Sequence, residues 1–215
     1  MNILLASATT TEIKPFIEQY RKDANDFIHS IDVLITGIGL TAATYSLTKQ
    51  LHVKRPDLVI QAGIAGCFDR QTELGEVVLV KQDIVADLLV IENKKPTTLF
   101  DLGLIKPNQF PFSQQWLVNK SEWIKKLEGR KVKGISANEI TTNKKRITAY
   151  KDLFDPVIES MEGAALHYSC LSEKIPFLQI RAISNYVGER NKKNWKMKES
   201  ITNLNKALLE LLKRI

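Results

Sequence analysis

Short apolar runs alternate with helical periodicity along most of this chain, and that alternation admits few folds. The clearest runs are NILLAS at 2–7, DLVIQ at 57–61 and PFLQIRAIS at 176–184. Each is shorter than a typical buried helix and rich in Ile, Leu and Val, so each reads as a buried strand. Further strands are expected at 33–36, within 75–85, at 132–136 and at 157–160. Helices are expected between them. Residues 9–22 put Ile13, Phe16, Ile17 and Tyr20 on one face, and a later stripe joins Ala42, Ala43, Leu47 and Leu51. Others are expected at 121–128, 142–150, 162–172 and 195–212, the last with Ile201, Leu204, Leu208 and Leu211 on one face. Thr9 or Thr10 can cap the first helix, and Pro15 is tolerated there only in or near the first turn. Strands alternating with helices predict a single α/β layer domain over residues 1–215. Residues 91–120, with Pro96, Pro107 and Pro111, interrupt the alternation and read as a long excursion.

Composition excludes several classes. No window approaches the ~18 consecutive apolar residues of a membrane span. Residues 1–7 carry no basic leader and no small-residue cleavage site, and read as a core strand rather than a signal peptide. Cys67 and Cys170 lie far apart and are expected as small buried thiols in a reducing cytoplasm. The net charge is +7. Its excess sits in Lys94-Lys95, Lys125-Lys126, Lys131-Val132-Lys133, Lys144-Lys145-Arg146 and Lys192-Lys193, at expected helix ends and loops. No basic–aromatic strip and no zinc or helix-turn-helix signature accompanies them, so a solvated surface is expected and no nucleic-acid or membrane partner. An anionic substrate is a second use for some of that charge. His29, His52 and His167 show no metal-ligand spacing, so neither a metal nor a cofactor is expected.

Chemistry-bearing residues gather at the carboxyl ends of the expected strands, where an open α/β sheet builds its ligand site. Gly37-Ile38-Gly39 and Gly63-Ile64-Ala65-Gly66 each follow an apolar run. Each reads as an ordinary strand-to-helix turn, or the two share a pocket in which glycine admits close approach of a ligand. Glu12 and Glu162 each open a helix. An acid there complements the helix dipole from the surface, or it faces a site. Asn185 ends the strand PFLQIRAIS, where it caps the next turn or reads a ligand.

Taken together, these strings resemble the purine nucleosidase and nucleoside phosphorylase family, most closely its futalosine hydrolase branch. The carriers are Thr36-Gly37-Ile38-Gly39, Gln61 to Gly66, Leu74-Gly75-Glu76, Glu159 to Tyr168 and Arg181 to Asn185. Asn185 through Gly188-Glu189-Arg190 to Trp195 carries the branch resemblance. The resemblance implies a single three-layer α/β domain with a central mixed β-sheet flanked by helices, nucleoside phosphorylase-like. It implies a small-molecule nucleoside substrate with water, and a homodimer or larger homo-oligomer. Glu12 looks like the family's water-activating acid and Glu162 like the acid that binds ribose hydroxyls. Gly63, Ile64, Ala65, Ile140, Met161 and Ser184 look like substrate-binding positions. Arg190 looks like a partner for a carboxylate on the 5′ side of the nucleoside. The implied reaction is hydrolysis of futalosine to hypoxanthine and dehypoxanthine futalosine, on a route to menaquinone.

Two departures sharpen this. Methylthioadenosine nucleosidases carry Asp at the position of Asn185, and the phosphorylases bring arginines to a phosphate site near the glycine segments. No arginine stands there in this chain, so a water nucleophile is expected. An Asn amide can donate its NH₂ to the O6 of a 6-oxopurine and accept from N7–H as the base departs. Methylthioadenosine/S-adenosylhomocysteine nucleosidase and purine nucleoside phosphorylase are the alternative enzymes. A nucleoside- or nucleic-acid-binding protein of the same fold is the alternative without chemistry. In the nucleosidase reading, residues 91–120 are expected to serve an oligomer contact or a lid over the 5′ chain.

Overall fold

Strand β1 (Asn2–Ser7) shows how the layers form. Its side chains alternate. Ile3 and Leu5 pack with Ile13 and Phe16 of α1 (Thr10–Lys22) and with Leu204 and Leu208 of α6 (Met197–Leu212). Leu4 and Ala6 pack with Leu47 and Leu51 of α2 (Leu40–Val53) and with Leu166 and Cys170 of α5 (Gly163–Ser172). A strand buried on both faces, with helices against each, makes a three-layer α/β domain. The computed structural model describes residues 1–22, 27–93 and 95–215, so Lys94 of the first basic stretch lies outside the described residues.

The remaining strands are β2 (Ser30–Ile35), β3 (Leu58–Cys67), β4 (Val77–Asp83), β5 (Leu89–Glu92), β6 (Lys95–Thr98), β7 (Leu117–Val118), β8 (Lys131–Ser136), β9 (Ile158–Ser160) and β10 (Phe177–Tyr186). Helices α3 (Glu122–Lys126) and α4 (Lys144–Phe154) and a 3₁₀ turn at Lys192–Asn194 complete the set among the described residues. The eight-stranded sheet runs β10-β4-β8-β9-β3-β1-β2, with β7 on β4, and β10 also pairs with β3. That last pairing closes β3, β10, β4, β8 and β9 into a ring. The sheet is mixed: β1, β2 and β10 run parallel to their partners on the β3 side, while β9 meets β3 and β10 meets β4 antiparallel.

Four expectations need correction. Gly63 to Gly66 is no turn: β3 continues through it to Cys67, because β10 and β9 pair with it there. Pro15 is the sixth residue of α1, beyond the first turn. The helix survives because Asn205 of α6 enters the opened ladder, its Oδ1 accepting from Phe16 N–H at 2.9 Å and its Nδ2 donating to the Glu12 carbonyl at 2.8 Å. The 91–120 excursion is partly ordered. It holds the β5–β6 hairpin's second strand, and Phe112 packs on Leu40, Ala164 and Ala165. Lys131-Val132-Lys133 lies in β8 rather than at a helix end. Among the described residues no helix is long and apolar enough to cross a membrane.

Candidate active site

The carboxyl ends of β1, β3, β9 and β10 open into a cleft of ≈ 290 Å³. Glu12 enters it from the first turn of α1. In the motif Thr9-x-x-Glu12 its side chain reaches back to the Thr9 N–H at 3.0 Å, half of a capping box. The Thr9 and Ser7 hydroxyls donate to the same Oε2 at 3.0 and 3.3 Å. Among the described residues Oε1 accepts only the Ile64 N–H, at 3.0 Å. A carboxylate offers about four lone-pair sites, so the spare capacity lies on Oε1. Such a capping acid is ordinarily exposed, yet Glu12 is buried because β3 runs on over it.

Glu162 sits in the bend between β9 and α5. The true glycine turn, Gly37-Ile38-Gly39, positions it: Gly39 has φ +90° and donates its N–H to Glu162 Oε1 at 3.1 Å. Helix α5 is fixed behind it by two serine hydroxyls, Ser160 accepting from Gly163 N–H at 3.2 Å and Ser136 from Ala164 N–H at 2.8 Å. Each acid is thus held by a backbone amide of one glycine segment.

Sequence reasoning gave Arg181 no role. It stands in the middle of an apolar strand and is 1% exposed. Its guanidinium donates to Gln61 Oε1 at 2.8 Å and to the Ile64 carbonyl at 3.3 Å, and lies 3.6 Å from Glu162 Oε2. Gly63 is glycine for this reason: a Cβ there would stand 2.4 Å from Arg181 Nη1 and 2.9 Å from Glu12 Oε1. One buried cation therefore pairs with Glu162, and the space that a Gly63 side chain would fill separates it from Glu12. An arginine inside an apolar run was the available signal, since a buried charge persists only when paired.

Asn185 lies at an irregularity in the β10–β3 register, and its side chain lines the cleft. Its Oδ1 accepts from Ser184 Oγ at 2.8 Å and its Nδ2 donates to the Tyr186 carbonyl at 3.1 Å. Ile64, Ala65, Ile140, Met161 and Ser184 also line the cleft, and Gly63 lies beneath it. Arg190 does not line it: the residue is exposed, with its guanidinium 5.9 Å from the ring of Trp195, which does. No residue of 91–120 lines the cleft among those described, so that segment is not a lid in this structure. None of the described lining residues is Lys or Arg.

Behind α5 lies a second buried polar group. Asp83 Oδ1 accepts from Ser136 Oγ at 2.9 Å and from Ile84 N–H at 2.8 Å, and burial pushes its carboxyl up to about 7. His167 donates from Nδ1 to the Leu117 carbonyl at 2.8 Å, and burial holds it down at about 4. The three histidines do not meet, and among the described residues no group of three or more His, Cys, Asp or Glu is placed for a metal. Cys67 and Cys170 are buried and unpaired.

Comparison with known proteins gives this geometry a family. The chain is 29% identical over 182 residues to the futalosine hydrolase of Thermus thermophilus, covering 83% of this chain and 80% of that protein. It is 28% identical over 195 residues to the 5′-methylthioadenosine/S-adenosylhomocysteine nucleosidase of Bacillus subtilis, covering 85% and 80%. The solved futalosine hydrolase of Helicobacter pylori superposes with a TM-score of 0.80 at 16% identity, covering 100% of this chain and 98% of that one, which speaks to the fold alone. Residues 9–215 match the profile of the phosphorylase superfamily, and the chain belongs to that family.

Proposed function

We propose that this chain hydrolyses the N-ribosyl bond of futalosine, releasing hypoxanthine and dehypoxanthine futalosine, as a step toward menaquinone. A nucleosidase is the coarser statement, and both kinds of relative named above support it. The observation that carries the finer reading is the convergence of Glu12, Glu162 and Asn185 on one cleft.

In this reading Glu12 Oε1 orients the water and takes its proton. Glu162 Oε2 binds the ribose hydroxyls and stabilises the positive charge that grows on the sugar as the bond to the base breaks, an oxocarbenium-like state. Arg181 keeps the two acids apart and aligned from below. Asn185 turns its amide to O6 and N7 of the departing base. A lining rich in carboxylates repels phosphate, which favours water as the nucleophile. Apolar side chains at the rim, among them Ile38, Ile140 and Met197, suit a bulky 5′ substituent. Arg190, beside Trp195, is offered as the partner of its carboxylate.

The second reading, cleavage of methylthioadenosine or S-adenosylhomocysteine, is favoured by a relative of almost equal identity. Incubation with futalosine, aminofutalosine, methylthioadenosine and inosine, with and without phosphate, separates the two. Hypoxanthine released from futalosine without phosphate is the expected result. Release of adenine from methylthioadenosine with futalosine untouched overturns the proposal.

A further inference from the structure

The steps assigned above leave one acid of the cleft unused. Glu159 of β9 lines the cleft and is 9% exposed, and its Oε2 has no hydrogen-bond partner among the described residues. A buried polar atom without a protein partner at the edge of a cleft is a natural place for a ligand atom.

Sheet register says what this residue stands beside. Gly66 of β3 pairs with Glu159 on one side and with Asn185 on the other. Paired residues on adjacent strands project from the same face, with strands about 4.8 Å apart. Glu159, Gly66 and Asn185 therefore form a row, an acid and an amide flanking a residue without a side chain. A Cβ on Gly66 would stand 3.4 Å from Asn185 Nδ2 and 3.2 Å from Val187 Cγ2, so glycine keeps the floor between them open.

A planar base over that floor meets Asn185 on one edge and Glu159 on the opposite one. With O6 and N7 turned to Asn185, the polar atoms left for Glu159 are those of the pyrimidine ring. In a 6-oxopurine N1 carries a hydrogen, whereas in a 6-aminopurine N1 presents a lone pair. We propose that Glu159 is a second base-reading residue, whose free Oε2 accepts the N1–H of a 6-oxopurine. The inference rests on the purine reading of Asn185. An ionised carboxyl only accepts, so it holds an N1–H and repels an N1 lone pair. In the free protein, burial first and then the nearby charges of Glu139 and Asp87 push this carboxyl up to about 7. An arriving N1–H favours its charged form.

The test is calorimetric titration of hypoxanthine and of 1-methylhypoxanthine into the wild type, Glu159→Gln and Glu159→Ala. The methylated base keeps O6 and N7 and lacks the N1–H. The wild type should prefer hypoxanthine by about 10- to 100-fold, the range of a hydrogen bond to a charged group. Glu159→Ala should lose that preference through weaker binding of hypoxanthine itself. Glu159→Gln, which keeps the bulk and a neutral acceptor, should fall between. Undiminished hypoxanthine affinity in Glu159→Ala overturns the role of Glu159 and leaves the base assignment standing. A wild type that binds hypoxanthine but shows no preference over the methylated base does the same. A wild type that binds neither base overturns both.

Discussion

Replacing Glu12 by Gln separates the two tasks this side chain performs. Oε2 accepts three hydrogen bonds, from Thr9 N–H and from the Thr9 and Ser7 hydroxyls. An amide nitrogen at that place would oppose donors with a donor, so the glutamine carbonyl takes the Oε2 position. Its NH₂ then falls at Oε1, facing the Ile64 N–H that Oε1 accepted from at 3.0 Å. One buried hydrogen bond becomes a donor–donor contact, costing about 1–3 kcal/mol of stability. The fold should survive this, because the capping half of the interaction is retained. Chemistry should not. An NH₂ group at Oε1 cannot take a proton from water, and general-base help is typically ~10²–10⁴-fold. Hypoxanthine release from futalosine under saturating substrate should therefore fall by about that factor, with KM little changed. Denaturant unfolding measures the first effect and steady-state base release the second. Turnover within about threefold of wild type, in a variant shown to be folded, would refute Glu12 as the base.

Asn185→Asp should shift preference from futalosine toward aminofutalosine, because a protonated carboxyl donates to N7 and accepts from a 6-amino group; unchanged ratios of kcat/KM would sink the base-reading argument. Asn205→Ala removes both bonds that bridge the α1 ladder at Glu12 and Phe16; it should cost about 1–3 kcal/mol and reduce kcat more than it raises KM, and loss of stability with unaltered turnover would show that α1 holds Glu12 without it. Asp83 and Glu159, both held up at about 7, bind protons in the folded chain that they lose on unfolding from about pH 4 to about pH 7, so each makes stability fall as pH rises there. His167, held down at about 4, acts oppositely below about pH 6.5. Asp83→Asn should leave Glu159 and His167 nearly cancelling, with a flatter thermal midpoint between about pH 5 and about pH 6.5 than in the wild type, and a slope as steep as wild type would contradict the buried acid.

The alternation of strands and helices was legible because periodicity reports burial, while the three-layer form came from the family resemblance. Ile3 and Leu5 alternate with Leu4 and Ala6, and only a strand with helices on both faces uses both sets. What periodicity could not report was where a strand stops. Glycines after an apolar run read as a turn, whereas at Gly63 and Gly66 the missing side chain makes room for Arg181 and Glu12 and for Asn185 and Val187. The same limit hid the depth of the acids. Thr9-x-x-Glu12 fits a surface capping box, and its burial follows from β3 running past it, a contact between residues 52 positions apart. Asn205, 193 positions from Glu12, left no local trace at all.

These long-range contacts explain why β3 carries so much of the site. Its first half is an ordinary central strand between β1 and β10, and its second half turns from β1 to pair with β9. That exchange of neighbours leaves the Ile64 amide free to bind Glu12 while Gly66 stays in the sheet. It also sets β9, with Glu159 and the bend to Glu162, on one flank of β3, and β10, with Arg181 and Asn185, on the other. A flat sheet with β1 alongside β3 throughout would hold Glu12 and keep the β9 acids away. The ring is therefore what sets Glu159, Glu162 and Asn185 around the end of β3, where Glu12 meets them from α1 in one cleft, an acidic lining that the proposed reaction would use to favour a cationic sugar over phosphate.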